Sequence, residues 1–321
     1  MTGIVFADQS DSVIIHEFLD RNVHLAAMTG LVNMLAPVQH RGLSRIIGVL
    51  KVLFPLEMKF TRAKLNDDAI FSFPTYDDYW GYFLLTRRRY EPEIASLLMH
   101  LKDLPFGFLD CGANFGYWSV LVSSTLFGRH PTVAVEASST TFRELEKNAR
   151  LNGDRYHCLK RAISDKSDAM VKFSQHSNHG GRSILTSAQS ESPNYEEVRT
   201  ETIDSVIATH MPTTSSVVCK LDVEGAEVSA FEGAAEALSG DIVFIYEDHG
   251  KDIDCLPSRY LLERGIEIFH ITPAGTLCRI SDVREIQAEK TNKKRGYNFV
   301  AIGDDGPICN MIRSLSTRLH D

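Results

Sequence analysis

The sequence predicts an α/β fold on a mostly parallel sheet, and three apolar runs that each break into a polar turn before a helix predict it. The first is Phe108-Leu109-Asp110-Cys111, which turns through Gly112, Asn114 and Gly116 and resumes as an apolar helix from Tyr117 to Leu126. The second is Val217-Val218-Cys219-Lys220-Leu221, ending in Asp222-Val223-Glu224-Gly225, and the third is Ile242-Val243-Phe244-Ile245-Tyr246, ending in Glu247-Asp248-His249-Gly250. In a parallel sheet the carboxyl ends of the strands share one edge, where ligands bind. Asp110, Lys220, Asp222, Glu224, Glu247 and His249 are therefore expected to converge.

The turn after Asp110 is informative about the ligand. Glycine permits positive φ and lets a ligand approach the backbone closely, while the free amides of the following helix face the strand end. A carboxylate at that strand end repels an anionic pyrophosphate and favours a cationic or donor-rich guest. A further apolar run, Val133-Ala134-Val135, ends in Glu136, twenty positions beyond Gly116, where a nucleoside-binding α/β unit needs an acceptor for ribose hydroxyls.

Composition sets the outer bounds. The chain has 321 residues, 43% of them hydrophobic, enough for one large α/β domain with an extension or for two small domains. A formal net charge of −8 argues against nucleic acid as the main partner, since duplex binders carry a basic surface. The six cysteines are scattered without a C-x-x-C pair, which points to reduced thiols rather than a zinc site or a disulfide framework. No signal-peptide pattern opens the sequence, and no apolar run reaches the ~18 residues of a membrane span. A cytoplasmic location is expected.

Residues 1–75 read as a helical N-terminal extension, with apolar residues at helical spacing over 12–35 and 43–54. The extension is expected to pack on the main domain or on a second copy of the chain. A sharper alternative rests Leu43 to Phe54, with Arg45 and Lys51 on its polar side, on a membrane surface. The main domain is placed over 76–321. Its aromatic-rich opening, Tyr76 to Tyr90 with Arg87 to Arg89, is either a solvated basic turn beside core aromatics or a holder for a sugar or anion. Pro92 then opens a helix with Ile94, Leu97, Leu98 and Leu101 on one face.

After Glu136, Thr141 and Glu144 have capping-box spacing, and the helix they open stops at Asn152-Gly153. A strand is expected from Tyr156 towards Ile163, closed by Ser164-Asp165. The polar stretch 174–199 reads as a long excursion, either a substrate lid, the preferred reading, or plain disorder, and Val198 to Ile207 as an edge strand or hairpin arm. Strands from Ile266 to Ile271 and Tyr297 to Ile302 form a terminal hairpin, with the charge run Lys290 to Arg295 between them as a solvated loop.

With these residues in hand, the chain resembles a class I S-adenosylmethionine-dependent methyltransferase, and more closely the FkbM family. The resemblance rests on Glu91 in Tyr-Glu-Pro-Glu, Asp110-x-Gly-Ala-Asn-x-Gly116, Val135-Glu136, Ala162-Ile163-Ser164-Asp165, Lys220-x-Asp-Val-Glu-Gly225 and Glu247-x-His249. It covers about 76–302, and residues 1–75 show nothing of the family. It implies a Rossmann-like seven-stranded sheet with an antiparallel last strand, S-adenosylmethionine as methyl donor, and O-methylation of sugars, glycoconjugates or natural products. Carried over residue by residue, Gly112, Asn114 and Gly116 face the methionine moiety, Glu136 the ribose, and Arg161, Ala162 and Ser164 the adenine, with Glu91, Asp110, Ala137 and Asp222 as further cofactor contacts. Asn114 stands where many class I methyltransferases have glycine.

A sulfonium is a good leaving group, so the protein mainly has to align a hydroxyl and take its proton. His249 is the favoured base, Asp222 its partner or the alternate base, Glu224 and Glu247 substrate or structural contacts, and Lys220 an orienting charge. Asp222, Glu224 and His249 also have the chemistry of a divalent-metal set, but the preferred reading assigns no metal. Two other readings compete. A nicotinamide-dependent oxidoreductase would use Tyr156 and Lys160, but on a strand these lie ~13 Å apart, and Trp118 stands where the short-chain dehydrogenase pattern wants glycine. A nucleoside-binding module without methyl transfer would favour an empty acidic edge, and here that edge is full.

Overall fold

A computed structural model of the chain describes residues 17–18, 60–75, 77, 79–80, 90–174, 195–272, 275–293 and 295–318. Its strands are β1 (Glu17–Phe18), β2 (Phe60–Asn66), β3 (Ala69–Pro74), β4 (Gly107–Cys111), β5 (Thr132–Val135), β6 (Tyr156–Leu159), β7 (Ala162–Ile163) and β8 (Met170–Ser174). They continue as β9 (Tyr195–Glu201), β10 (Ser216–Leu221), β11 (Asp241–Glu247), β12 (Glu267–Ile271), β13 (Leu277–Ile280), β14 (Asn298–Ile302) and β15 (Ser316–Arg318).

The main sheet runs β6-β5-β4-β10-β11-β14-β12-β13-β15. Strands β4, β5, β6, β10 and β11 are parallel, and β14 is antiparallel to both its neighbours. The first seven strands in that order are the expected sheet with its antiparallel last member; β13 and β15 extend the edge beyond β12. The centre of the sheet is buried on both faces, so its strands are continuous apolar runs. Phe108, Val218, Val243 and Ile245 face a layer that includes helices Pro92–Leu101 and Tyr117–Val122. Their alternating neighbours Leu109, Cys219 and Phe244 face the layer with helices Ile203–His210, Glu227–Glu232 and Leu256–Leu262. From β4 the chain steps outward to β5 and β6, then returns to pair β10 on the other side of β4. That reversal opens a crevice at the carboxyl ends of β4 and β10.

The end of the predicted N-terminal extension differs. Residues 60–74 form the β2–β3 hairpin rather than helix, because buried and exposed side chains alternate along both strands. Glu17–Phe18 pairs with β2 as a strand; the rest of the helices predicted over 12–35 and 43–54 lies outside the described residues. The hairpin belongs to the main domain. Phe71 packs 4.9 Å from Trp80 and 5.5 Å from Tyr117 between ring centres. Asn148 on helix Ser139–Leu151 and Asn152, its C-cap one turn later, bond to the outer edge of β3. Asn148 accepts from Ser72 N at 2.7 Å and donates to Ser72 O at 3.0 Å, while Asn152 does the same to Ile70 at 2.9 and 2.6 Å. Four helical residues rise about 6 Å and two strand residues about 6.6 Å, so the spacings match.

Other boundaries shift for local reasons. The helix at Tyr117 ends at Val122, where Ser123 and Ser124 bond back to Val120 O and Leu121 O and a 3-10 turn follows at Thr125–Phe127. Ser138, not Thr141, caps helix Ser139–Leu151 by accepting from the Thr141 amide. The strand expected from Tyr156 to Ile163 is split, with β6 in the main sheet and β7 pairing β9 instead. The segment 198–207 is strand to Glu201 and helix from Ile203, capped by Thr202. Lys290 is not solvated; its ammonium is buried against Asp248. Arg87 to Arg89 and most of the predicted lid lie outside the described residues. Among those described, no helix is long and apolar enough to cross a membrane.

Replacing Asn148 by Ala strands the Ser72 amide and carbonyl and removes a further bond to Phe115 O. Each stranded buried group costs about 1–3 kcal/mol. Urea unfolding of Asn148→Ala is expected to show a loss of about 2 kcal/mol or more, and a chain starting at residue 76 should fail to fold cooperatively. An unchanged midpoint would show that the hairpin does not brace the domain.

Candidate active site

A cavity of about 480 Å³ opens at the carboxyl ends of β4, β5, β10 and β11, within the ~300–1,000 Å³ of small-molecule sites. Its wall brings together Asp110, Gly112, Asn114, Glu136, Ala137, Arg161, Ala162, Lys220, Asp222, Glu224, Glu247 and His249. The other three residues singled out from sequence, Glu91, Gly116 and Ser164, are not on that wall. Gly116 is turned towards the neighbouring helix, where a Cβ would lie 2.5 Å from Leu145 Cδ1. Ser164 is tied down by its amide on Glu201 O and its hydroxyl on Asp165. Glu91 stands behind Lys220.

The glycine turn is built against the tip of β10. Gly112 has φ +75°, and a Cβ there would sit 1.9 Å from Asp222 O, so glycine is required twice over. Asn114 has φ 52°, a left-handed conformation that Asn tolerates because its short side chain bonds locally. Here its Oδ1 accepts from the Phe115 amide at 2.8 Å. Glu136 braces the same turn, accepting from Asn114 N at 3.0 Å and from Ser138 N at 2.8 Å. Asp110 accepts from the amide and hydroxyl of Ser119 at 3.1 and 2.6 Å, anchoring the start of the following helix.

Opposite the turn, charges are packed closely. The Lys220 ammonium, 6% exposed, donates to Asp222 Oδ2 at 3.0 Å and lies 4.0 Å from Glu91 Oε2. Glu91 also accepts from Trp118 Nε1 at 2.7 Å. Burial acts to pull the Lys220 pKa down, but Asp222, Glu91 and Asp110 outweigh it and hold the group above the usual lysine range. Burial raises the carboxyls of Glu91 and Asp110, against the pull of the same lysine. Glu247 is pushed up to about 9 by burial and by the charges of Asp222, Glu91 and Glu224, so it is protonated at neutral pH. Glu224 sits exposed at the cavity mouth, where partial burial, Asp222 and Glu227 raise its pKa and water screens those neighbours. His249 is lowered by burial and by Lys251 and Lys290, and is therefore neutral at pH 7. Its Nδ1 accepts from the Lys251 amide at 3.0 Å. Among the described residues, no three His, Cys, Asp or Glu side chains are grouped to hold a metal ion.

Sequence reasoning missed part of the wall. Tyr79, Trp80, Tyr90, Tyr117 and Trp118 form an aromatic side, with Trp80 stacked on Tyr117 at 5.4 Å. The aromatic stretch before Pro92 was the available signal. Phe173, Lys251 and Gly296 also reach the cavity, from segments whose local sequence carries no mark of it.

The reversed strand order, the glycine turn after β4, the acid at the tip of β5 and the cavity at the switch point together define a class I methyltransferase fold. Residues 110–265 match the methyltransferase FkbM domain. Among solved structures, the methyltransferase FkbM from Methylobacillus flagellatus KT is similar at 16% identity and TM-score 0.39, over 68% of this chain and 52% of that one. A precorrin-6y C5,15-methyltransferase from Geobacter metallireducens GS-15 is similar at 11% identity and TM-score 0.36, over 65% and 87%. The N-terminal domain of human METTL16 in complex with SAH is similar at 14% identity and TM-score 0.35, over 68% and 72%. The chain spans about half the length of the Methylobacillus protein it matches. No curated protein matches the sequence.

Because Glu247 binds its proton more tightly when folded, stability falls as pH rises from its unfolded value, near 4.5, through about 9. Glu247→Gln is expected to melt higher than the unsubstituted protein at pH 9, with the gap closing by pH 5. Equal gaps at both pH values in a thermal melt would show that Glu247 is not a buried acid.

Proposed function

We propose that the protein is an S-adenosylmethionine-dependent O-methyltransferase acting on a hydroxyl of a sugar, glycoconjugate or natural product. One observation carries the reading: a single cavity joins the glycine turn and Glu136 on one side to the acid- and histidine-bearing tips of β10 and β11 on the other. The donor set fits this cofactor. Glu136 presents its carboxylate on the cavity wall at the tip of β5, and a carboxylate accepts from ribose hydroxyls. Gly112, Ala113 and Asn114 line the methionine side, and Ala137, Arg161 and Ala162 the adenine side, with Gly116, Ser164 and Glu91 as supports. The acidic lining suits a cation.

When bound, S-adenosylmethionine supplies a methyl group on a positively charged sulfur. The residues at β10 and β11 would orient the acceptor hydroxyl and receive its proton. With the Lys251 amide on Nδ1, the neutral His249 ring carries its hydrogen on Nε2 and offers a donor to the acceptor oxygen. The proton then goes to Asp222, the alternate base of the sequence analysis, which Lys220 holds in place at 3.0 Å. Glu247, being protonated, donates to a second oxygen of the acceptor, a pattern suited to polyols.

Calorimetry with S-adenosylhomocysteine is expected to show binding that Glu136→Ala weakens at least tenfold, and labelled donor should transfer methyl to some member of a panel of nucleotide sugars, glycolipids and polyketides. Absence of binding would sink the reading. With an acceptor in hand, Asp222→Asn should lose at least 100-fold in kcat, while His249→Gln, which keeps an N–H donor, should retain more turnover than His249→Ala. Equal loss in the two His249 variants would return the base role to the imidazole.

A further inference from the structure

We infer that Lys290 is a positioning residue for the acceptor side of this cavity, although it lies outside the wall and is distant from it in sequence. Its ammonium, 4% exposed, pairs with the fully buried Asp248 carboxylate and also donates to Asp252 O at 2.8 Å. One charge thus holds both ends of the segment that carries His249 and Lys251. The second oxygen of Asp248 accepts from Ser258 Oγ at 2.6 Å, and that hydroxyl lies 2.9 Å from Tyr246 OH, so the carboxylate is fixed from both sides.

The same pair seats the loop that follows Lys290. Asp248 N donates to Tyr297 O and Gly250 N to Arg295 O, both at 2.9 Å. The approach is close: a Cβ on Gly250 would fall 2.3 Å from Asn292 O, and one on Gly296 would fall 2.1 Å from the Glu247 carboxyl carbon. Gly296 therefore forms the cavity wall against Glu247. Side chains alternate along an extended segment, so with Asp248 drawn inward to Lys290, Glu247 and His249 are turned the other way, towards the cavity. A buried ion pair is a poor source of stability compared with packed apolar groups, but it accepts one geometry. That geometry sets where His249, Lys251 and Gly296 stand.

The inference rests on the proposed methyl transfer for its kinetic consequence, not for its structural one. In Lys290→Met, made in the full chain, deuterium exchange of amides over 248–256 and 292–297 is expected to quicken at least tenfold, with 108–122 unchanged. Affinity for S-adenosylhomocysteine should stay within twofold, and kcat with an acceptor should fall at least tenfold. Adding Asp248→Asn removes the uncompensated buried charge and should restore the melting temperature without restoring kcat. Lys290→Arg should recover part of both. Unchanged exchange over 248–256, loss of donor affinity in step with turnover, or full kcat in the double variant would overturn the assignment. A wild-type protein that binds no S-adenosylhomocysteine would instead refute the proposed function, leaving the exchange result to judge Lys290.

Discussion

A single buried ammonium allows this sheet to end in so many acids. Lys220 reaches from the carboxyl end of β10 into the space between Asp222, Glu91 and Asp110, three carboxylates from separate stretches of the chain. Burial alone would neutralise those groups or drive them apart. With the lysine among them, they stay close, and the start of helix Pro92–Leu101 is tied to the centre of the sheet. Breaking such a cluster by removing its cation leaves charges buried without a partner, the costly outcome for any ion pair. The cavity is acidic because this arrangement tolerates acidity.

Around that cluster, the backbone does the positioning. The β4 turn and the β10 tip are keyed together by the Asp222 amide on Cys111 O, 3.0 Å, and by the contact that admits no side chain at residue 112. Asn114 and Glu136 then hold the turn in its left-handed path. On the far side, the β2–β3 hairpin backs the aromatic wall, borrowing hydrogen bonds from two asparagines of a helix. Among the described residues no strand lies beyond β3 in that sheet, and those side chains bond to its outer edge.

Two ion pairs, used differently, divide the work. Lys220 gathers Asp110 and Asp222, which face the cavity, with Glu91 behind it; Lys290 fixes an acid that faces away from the cavity. Both are long, flexible side chains whose freedom is lost on burial, a cost accepted where a charge must sit at one point. Their combined effect is a site whose two halves are anchored through separate contacts, the donor side through β4 and β5 and the other through β11 and the loop before β14.

Much of this was legible in the residues alone. Apolar runs ending in Asp110, Glu136, Asp222 and Glu247 announced parallel strands with their tips together, because strand periodicity, glycine turns and the shared edge of a parallel sheet follow from local chemistry. The sequence by itself determined the sheet, the turn and the acids that meet there. Tertiary structure alone decided that residues 60–74 form a hairpin of the domain, that Glu91, Gly116 and Ser164 support the wall rather than form it, and that Lys290 is buried. Those outcomes depend on partners far away along the chain, and neither a residue's own spacing nor its neighbours record how deeply a long-range contact will bury it.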